Sequence, residues 1–133
     1  MIEGHCHCGA SHWRYDAVPD HVTACNCTFC RRAGGLWIYG HEGETVQVDA
    51  PAGALREYVH GDRMIAFLSC NTCGNLVAWR GLGLEPDGRR RMAVNLRLTE
   101  PGPVDDFPIK HLDGLHTWES LSKVGTTVKD MWF

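Results

Sequence analysis

Seven cysteines in 133 residues fall into three short clusters: Cys6-His7-Cys8-Gly9, Cys25-Asn26-Cys27-Thr28-Phe29-Cys30 and Cys70-Asn71-Thr72-Cys73-Gly74. An odd count leaves one thiol over from any complete disulfide framework, whereas four ligands for one metal and three for another account for every cysteine. The chain opens Met1-Ile2-Glu3-Gly4 and runs straight into the first cluster without an apolar stretch of signal-peptide type, so the expected compartment is the cytoplasm. Thiols there stay reduced, and clustered ones serve metals or catalysis.

Cys70 and Cys73 are separated by two residues and precede a glycine, the spacing of a zinc knuckle in which two thiolates grip one metal and the glycine permits the tight turn. One knuckle is half a site. Cys6 and Cys8, with Gly9 behind them, supply the other half, and a metal held by all four would staple an N-terminal hairpin to a later one. Read as an extended strand, Cys6 and Cys8 share one face while His5 and His7 face away, which argues against the histidines as ligands. Without a metal the same cysteines would serve as small buried hydrophobes.

Cys25, Cys27 and Cys30 make a tripod if a turn beginning at Thr28 swings Cys30 round to the face that Cys25 and Cys27 share. Three protein ligands leave a vacancy, the arrangement of catalytic zinc, where the metal acts as Lewis acid or holds a deprotonated nucleophile. Two zinc ions per chain are therefore expected. Zinc with three thiolates carries one net negative charge and an incoming thiolate adds another, so nearby cations would stabilise the complex. Arg31 and Arg32 follow Cys30 directly and are candidates for that role; a solvated surface pair is their alternative.

The rest of the chain reads as all-β in a single domain over 1–133, with the tail from 124 left open. Short runs rich in Val, Ile, Trp, Tyr and Phe alternate with turn residues, and no helical periodicity is sustained. Strands are predicted at Ile2 to His7, Ser11 to Tyr15, Leu36 to Gly40, Thr45 to Val48, Leu55 to Val59, Met64 to Ser69, Leu76 to Arg80 and Met92 to Leu98. A helical turn is expected from Thr28 to Ala33, ending at Gly34-Gly35. Asn95 and Arg97 share a face of the last strand and are placed to offer an amide and a guanidinium to a substrate carboxylate. Arg89-Arg90-Arg91 reads as a solvated hairpin tip, and Trp13, Trp37 and Trp79 as core.

The order Cys-x-Cys-Gly, Cys-x-Cys-x-x-Cys-Arg-Arg, Cys-x-x-Cys-Gly resembles the glutathione-dependent formaldehyde-activating enzyme family, which includes centromere-protein-V-like proteins. The likeness extends through Phe67 to Trp79 and Met92-Ala93-Val94-Asn95-Leu96-Arg97 to His111-Leu112-Asp113-Gly114 with Thr117-Trp118. It implies a zinc-stapled β-tent of small antiparallel sheets, a structural zinc on Cys6, Cys8, Cys70 and Cys73, and a catalytic zinc on Cys25, Cys27 and Cys30. The name-giving reaction joins formaldehyde to glutathione as S-(hydroxymethyl)glutathione, a carbon-sulfur lyase reaction in reverse. Asn26 stands where the family frequently carries His.

The leading functional reading is a zinc-dependent, carbon-sulfur lyase-like enzyme acting on a small thiol adduct, with a thiol such as glutathione as partner and a homodimer compatible with the chain. A sulfoxide reductase with a similar zinc staple would need a cysteine outside the clusters, and there is none. The non-catalytic alternative is a zinc-stabilised protein-binding module. A formal charge of −3 and a pI near 6.2 provide no general attraction to nucleic acid or anionic lipid, and neither partner is expected.

Overall fold

A computed structural model describes residues 1–121 and 125–131 of the chain. Strands β1 (Ile2–His5), β2 (His12–Tyr15) and β5 (Val46–Asp49) form a small antiparallel sheet in which β2 is central. The remaining strands are β3 (Val22–Cys25), β4 (Leu36–His41), β6 (Leu55–Tyr58), β7 (Ile65–Cys70), β8 (Leu76–Gly81), β9 (Arg91–Asn95) and β10 (Ile109–Leu112). They form a seven-stranded sheet in the order β10-β3-β4-β9-β8-β7-β6. One helical turn, α1 (Cys30–Ala33), and two 3-10 turns, Leu96–Leu98 and Val128–Met131, complete it. This is the expected all-β arrangement of sheets with short helical turns. One pairing differs from expectation: β10 joins β3 in parallel. No helix among the described residues is long and apolar enough to cross a membrane.

Successive side chains on a strand point to opposite faces, so a strand that is apolar at every position is buried on both. The middle of the large sheet is built this way. Leu36 and Ile38 of β4, Ala66 and Leu68 of β7, and Met92 and Val94 of β9 enter one core with Trp13, Val22, Val46 and Leu96. Their alternates Trp37, Phe67 and Ala93 join Trp79, Leu76 and Cys30 in a second, largely aromatic cluster. The first core carries most of the apolar burial, and the second forms a floor on which a site can rest.

Hairpin tips bring two of the cysteine clusters to one end. Cys6 to Gly9 turns between β1 and β2, and Cys70 to Gly74 turns between β7 and β8. The cysteines of the first tip thus leave the strand at His5 and are gathered by a turn, where an extended run to His7 was expected. The turn at Thr28 settles into α1, closed by Gly34 in the left-handed conformation at φ 73°, whose N–H reaches the Cys30 carbonyl at 3.0 Å.

Strands β3 and β10, each of four residues, lay outside the predicted set. The strand predicted over Met92 to Leu98 stops at Asn95, and Leu96–Leu98 turns as 3-10 helix. The reason is Asn95 itself. Its side chain is 4% exposed, its Oδ1 accepts from the N–H of Leu36 at 3.0 Å and of Arg97 at 3.3 Å, and its Nδ2 donates to the Leu76 carbonyl at 2.9 Å. Asn95 therefore ties β4 to the start of β8 and caps the turn that follows, so its amide is spent inside the protein and shares no strand face with Arg97. Of the open tail, Thr127 bridges Pro108 and Val128 is buried; residues 122–124 and 132–133 lie outside the described residues.

Asn95→Ala should lower stability by about 2–4 kcal/mol, since it strands the buried Leu36 N–H and Leu76 carbonyl without partners. A urea melt checks this: the midpoint falls and the slope is unchanged, whereas a residue on an exposed strand face would leave both where they are.

Candidate functional site

At the end of the molecule where the two hairpin tips meet, the sulfurs of Cys6, Cys8, Cys70 and Cys73 all lie within 4.8 Å of one another. The tips share a design. Cys6 N–H bonds the Ser11 carbonyl at 3.0 Å and Cys70 N–H the Asn75 carbonyl at 2.9 Å, while Gly9 and Gly74, both at φ 77°, return their N–H groups to the carbonyls of Cys6 and Cys70. The His7 amide crosses from one tip to the Asn75 side chain of the other at 2.8 Å. Burial raises the Cys6 thiol, but hydrogen bonds from Ser11 and the neighbouring thiols outweigh it and bring it down to about 5, while Cys8, despite a hydrogen bond from Ala10, is pushed up to about 11 by burial and its sister thiols.

The sulfurs of Cys25, Cys27 and Cys30 form the second group, again within 4.8 Å. Cys25 is the last residue of β3 and Cys30 the first of α1, so strand, turn and helix start each deliver one sulfur. Three donors face them: Cys27 N–H to Cys25 Sγ at 3.5 Å, Cys30 N–H to Cys27 Sγ at 3.3 Å, and Trp37 Nε1–H to Cys30 Sγ at 3.4 Å. A hydrogen bond from Cys30 is the chief cause that lowers the Cys25 thiol to about 6, and the same pairing with burial pushes Cys30 far up. Three thiols this close cannot all ionise against their mutual repulsion, whereas a divalent cation among them removes that obstacle. The donor set of each cluster fits a soft or borderline metal such as zinc.

A cleft of about 530 Å³ opens over the three-cysteine group, floored by Trp37, Phe67 and Trp79 of the second core. Its roof is the segment that follows β10. Asn26 N–H bonds the Leu112 carbonyl at 3.2 Å, Asn26 Nδ2 donates to Asp113 Oδ1 at 3.1 Å, and Leu115 N–H donates back to Asn26 Oδ1 at 3.0 Å. Burial raises the Asp113 carboxyl, but bonds from Asn26, Thr117 and His116 prevail and hold it below the usual carboxylate range. Gly114 sits so close to the sulfurs that a Cβ there would overlap Cys25 Sγ and come within 3.0 Å of Cys27 Cβ. Asn26 is thus the peg that holds this roof down.

The other sequence candidates lie outside the cleft lining. Arg31 and Arg32 are exposed, and Arg32 Nη1 donates to the Thr28 carbonyl at 2.7 Å within its own turn. Arg97 lies beside Gly34 at the far end of α1, and Asn95 is buried in the sheet. The cation that lines the cleft is Arg91, the first residue of β9, whose guanidinium carbon stands 5.5 Å from the centre of the Trp79 ring. Its neighbours Arg89 and Arg90 point elsewhere, to Asp87 and to the Gly81 and Leu82 carbonyls. Trp37 and Trp79 are core residues as expected, and also line the cleft.

A solved structure of a protein from Rhodobacter sphaeroides is similar, with 26% identity over 77% of this chain and 92% of that one and a TM-score of 0.60. No curated protein matches. The sequence model of the glutathione-dependent formaldehyde-activating enzymes matches residues 1–112, which takes in all seven cysteines and stops at the last residue of β10. With that match over most of its length, the chain belongs to the glutathione-dependent formaldehyde-activating enzyme family.

Proposed function

We propose that the protein forms or cleaves a carbon-sulfur bond between a small thiol and an aldehyde, with Cys25, Cys27 and Cys30 holding a catalytic zinc and Cys6, Cys8, Cys70 and Cys73 a structural one. The observation that carries this is the contrast between the two clusters. Four cysteines from two hairpin tips enclose one position, whereas three face a cleft with no fourth His, Cys, Asp or Glu ligand among the described residues. Zinc at the three-cysteine group would accept an outside thiol as its thiolate and offer Lewis acidity to the partner.

The addition is redox-neutral: a sulfur-carbon bond forms, the carbonyl π bond breaks, and the thiol proton ends on the new hydroxyl. The chain contributes the surroundings. The amides of Cys27 and Cys30 and the Trp37 indole spread negative charge from the sulfurs, and Arg91 supplies a positive charge inside the cleft. The Asn26 to Asp113 bond and Gly114 keep the roof pressed on the cysteines and restrict water there. The family's named substrates, glutathione and formaldehyde, are the first pair to test.

Replacing Cys70 by Ser should unfold the domain, because a structural zinc contributes on the order of 10 kcal/mol in small domains. Cys27→Ser should instead melt near the parent temperature while retaining less metal; equal collapse of the two variants contradicts the division. Mild chelation should remove one metal equivalent before the other, with far-ultraviolet circular dichroism unchanged at that stage, since an open coordination position admits the chelator. Simultaneous loss of both metals speaks against an open site.

Function itself is read with cobalt in place of zinc. Glutathione should alter the thiolate-to-metal charge-transfer band, and the change should vanish in Cys27→Ser. Formaldehyde added to the thiol-loaded protein should then give S-(hydroxymethyl)glutathione faster than the uncatalysed reaction, as NMR exchange spectroscopy measures. An unperturbed cobalt spectrum at millimolar glutathione removes glutathione as the ligand, and binding without acceleration removes formaldehyde as the substrate.

A further inference from the structure

The cleft over the three cysteines is built from material that neither formaldehyde nor glutathione uses well. Four large apolar side chains that remain exposed, Tyr39, Met64, Leu115 and Trp118, line this one cleft. Clustered exposure of that kind on a folded surface marks a binding site. Six residues of the wall carry rings: Trp37, Tyr39, His60, Phe67, Trp79 and Trp118. His60 stacks on Phe67 at 5.8 Å with 15° between planes, and Tyr39 tilts against Trp79 at 5.9 Å. Trp118 completes the set in an unusual posture, 67% exposed with a backbone φ of 61°, a left-handed conformation that L side chains rarely adopt, held by its N–H on the Asp113 carbonyl at 2.7 Å.

Charge in the lining is sparse, consisting of Asp62 and Arg91, with the His60 ring beside them. Asp62 is engaged locally, its Oδ1 taking the Met64 N–H at 3.1 Å. Arg91 differs from the other arginines of its hairpin. Arg80 and Arg90 pair with Glu42, and Arg89 with Asp87, whereas among the described residues no carboxylate pairs with Arg91, which rests on the Trp79 face. A guanidinium held over an aromatic plane, with its in-plane donors uncommitted to an acid, is suited to a carboxylate from outside. Glutathione presents amides, two carboxylates and an ammonium, and formaldehyde adds one carbon, so the pair leaves the aromatic walls with little apolar surface to cover.

We propose that the cleft selects a sulfur ligand whose carbon body is a flat aromatic group ending in a carboxylate, with the ring against Trp79 and Trp118 and the carboxylate on Arg91. This rests on the reading of the three cysteines as a thiol-binding metal site. Two sources supply the chemistry: an arylmethyl thiol, or the thiohemiacetal made when a thiol S–H adds across the C=O of an aromatic aldehyde. In both, the aromatic ring lies one carbon from sulfur.

The test is a titration of the cobalt-substituted protein with mercaptoethanol, benzyl mercaptan and para-mercaptomethylbenzoate, reading the charge-transfer band, with para-toluate followed by tryptophan fluorescence as a ligand that has no thiol. Benzyl mercaptan should bind on the order of tenfold or more tighter than mercaptoethanol through ring burial. The carboxylate should add roughly a further tenfold, lost in Arg91→Met, which keeps an apolar stem on Trp79. Trp118→Ala, at an exposed position, should erase much of the advantage of the ring. Catalysed addition of glutathione to para-formylbenzoate in preference to formaldehyde would assign the source to the aldehyde, and its absence beside tight thiol binding would assign it to the thiol. Equal affinity for all three thiols overturns the proposal while the thiol site stands. A carboxylate preference that survives Arg91→Met overturns the role of Arg91. Quenching by toluate with no charge-transfer change for any thiol overturns the thiol site but keeps the aromatic cleft, and silence in both readouts overturns both.

Discussion

The structure depends on a sheet that is apolar on both faces. Side chains at alternate positions of β4, β7 and β9 enter different clusters, so Leu36 and Ile38 anchor the main core while Trp37 between them faces the other way. One face packs against residues of the small sheet, such as Trp13 and Val46, and the other remains free to carry aromatic rings beneath the cysteines. Had the strands alternated apolar and polar in the usual one-sided manner, the chain would have a core but no floor under Cys25, Cys27 and Cys30. The same constraint explains why Asn95 is tolerated: a polar side chain in a two-sided interior must satisfy its donors and acceptors there, and it does so by tying neighbouring elements together.

Much of this was legible in the sequence because spacing alone encodes it. Cys-x-Cys-Gly and Cys-x-x-Cys-Gly are tight turns with two sulfurs each, and the structure brings those four together and keeps the other three apart, as the partition by count requires. The short runs rich in Val, Ile, Trp, Tyr and Phe between turn residues also marked eight of the strands. Strands β3 and β10 escaped because no tight hairpin turn marks either of them. They pair with each other in parallel, and β3 reaches its antiparallel partner β4 only through the cysteine segment and α1.

The site's surroundings were harder to read because they come from distant segments. Arg91 follows Arg89 and Arg90 and looks equivalent in the chain, but β9 begins there, and entry into the pleat turns one guanidinium onto Trp79 while the other two serve the loop before it. Arg31 and Arg32 illustrate the converse. Adjacency to Cys30 placed them beside the three-cysteine cluster in sequence, but α1 carries them outward, since the residues after the first of a helical turn point round its circumference. Gly114, where a Cβ would overlap Cys25 Sγ, has no side chain to attract notice in the sequence.

The parallel pairing of β10 with β3 bears on how the protein comes to be assembled. Asn26 and Asp113 meet across 87 positions of chain, and β10 ends the strand order of its sheet, paired with β3 on one side and bridged by Ser120 of the following segment on the other. Contacts of such wide sequence separation form late, after local hairpins such as β7 with β8 have closed, because the loop entropy must be met first. During that interval Cys25, Cys27 and Cys30 lack their cover. The three sulfurs are thus most open before the C-terminal segment docks, and its arrival leaves the cleft as the approach to them.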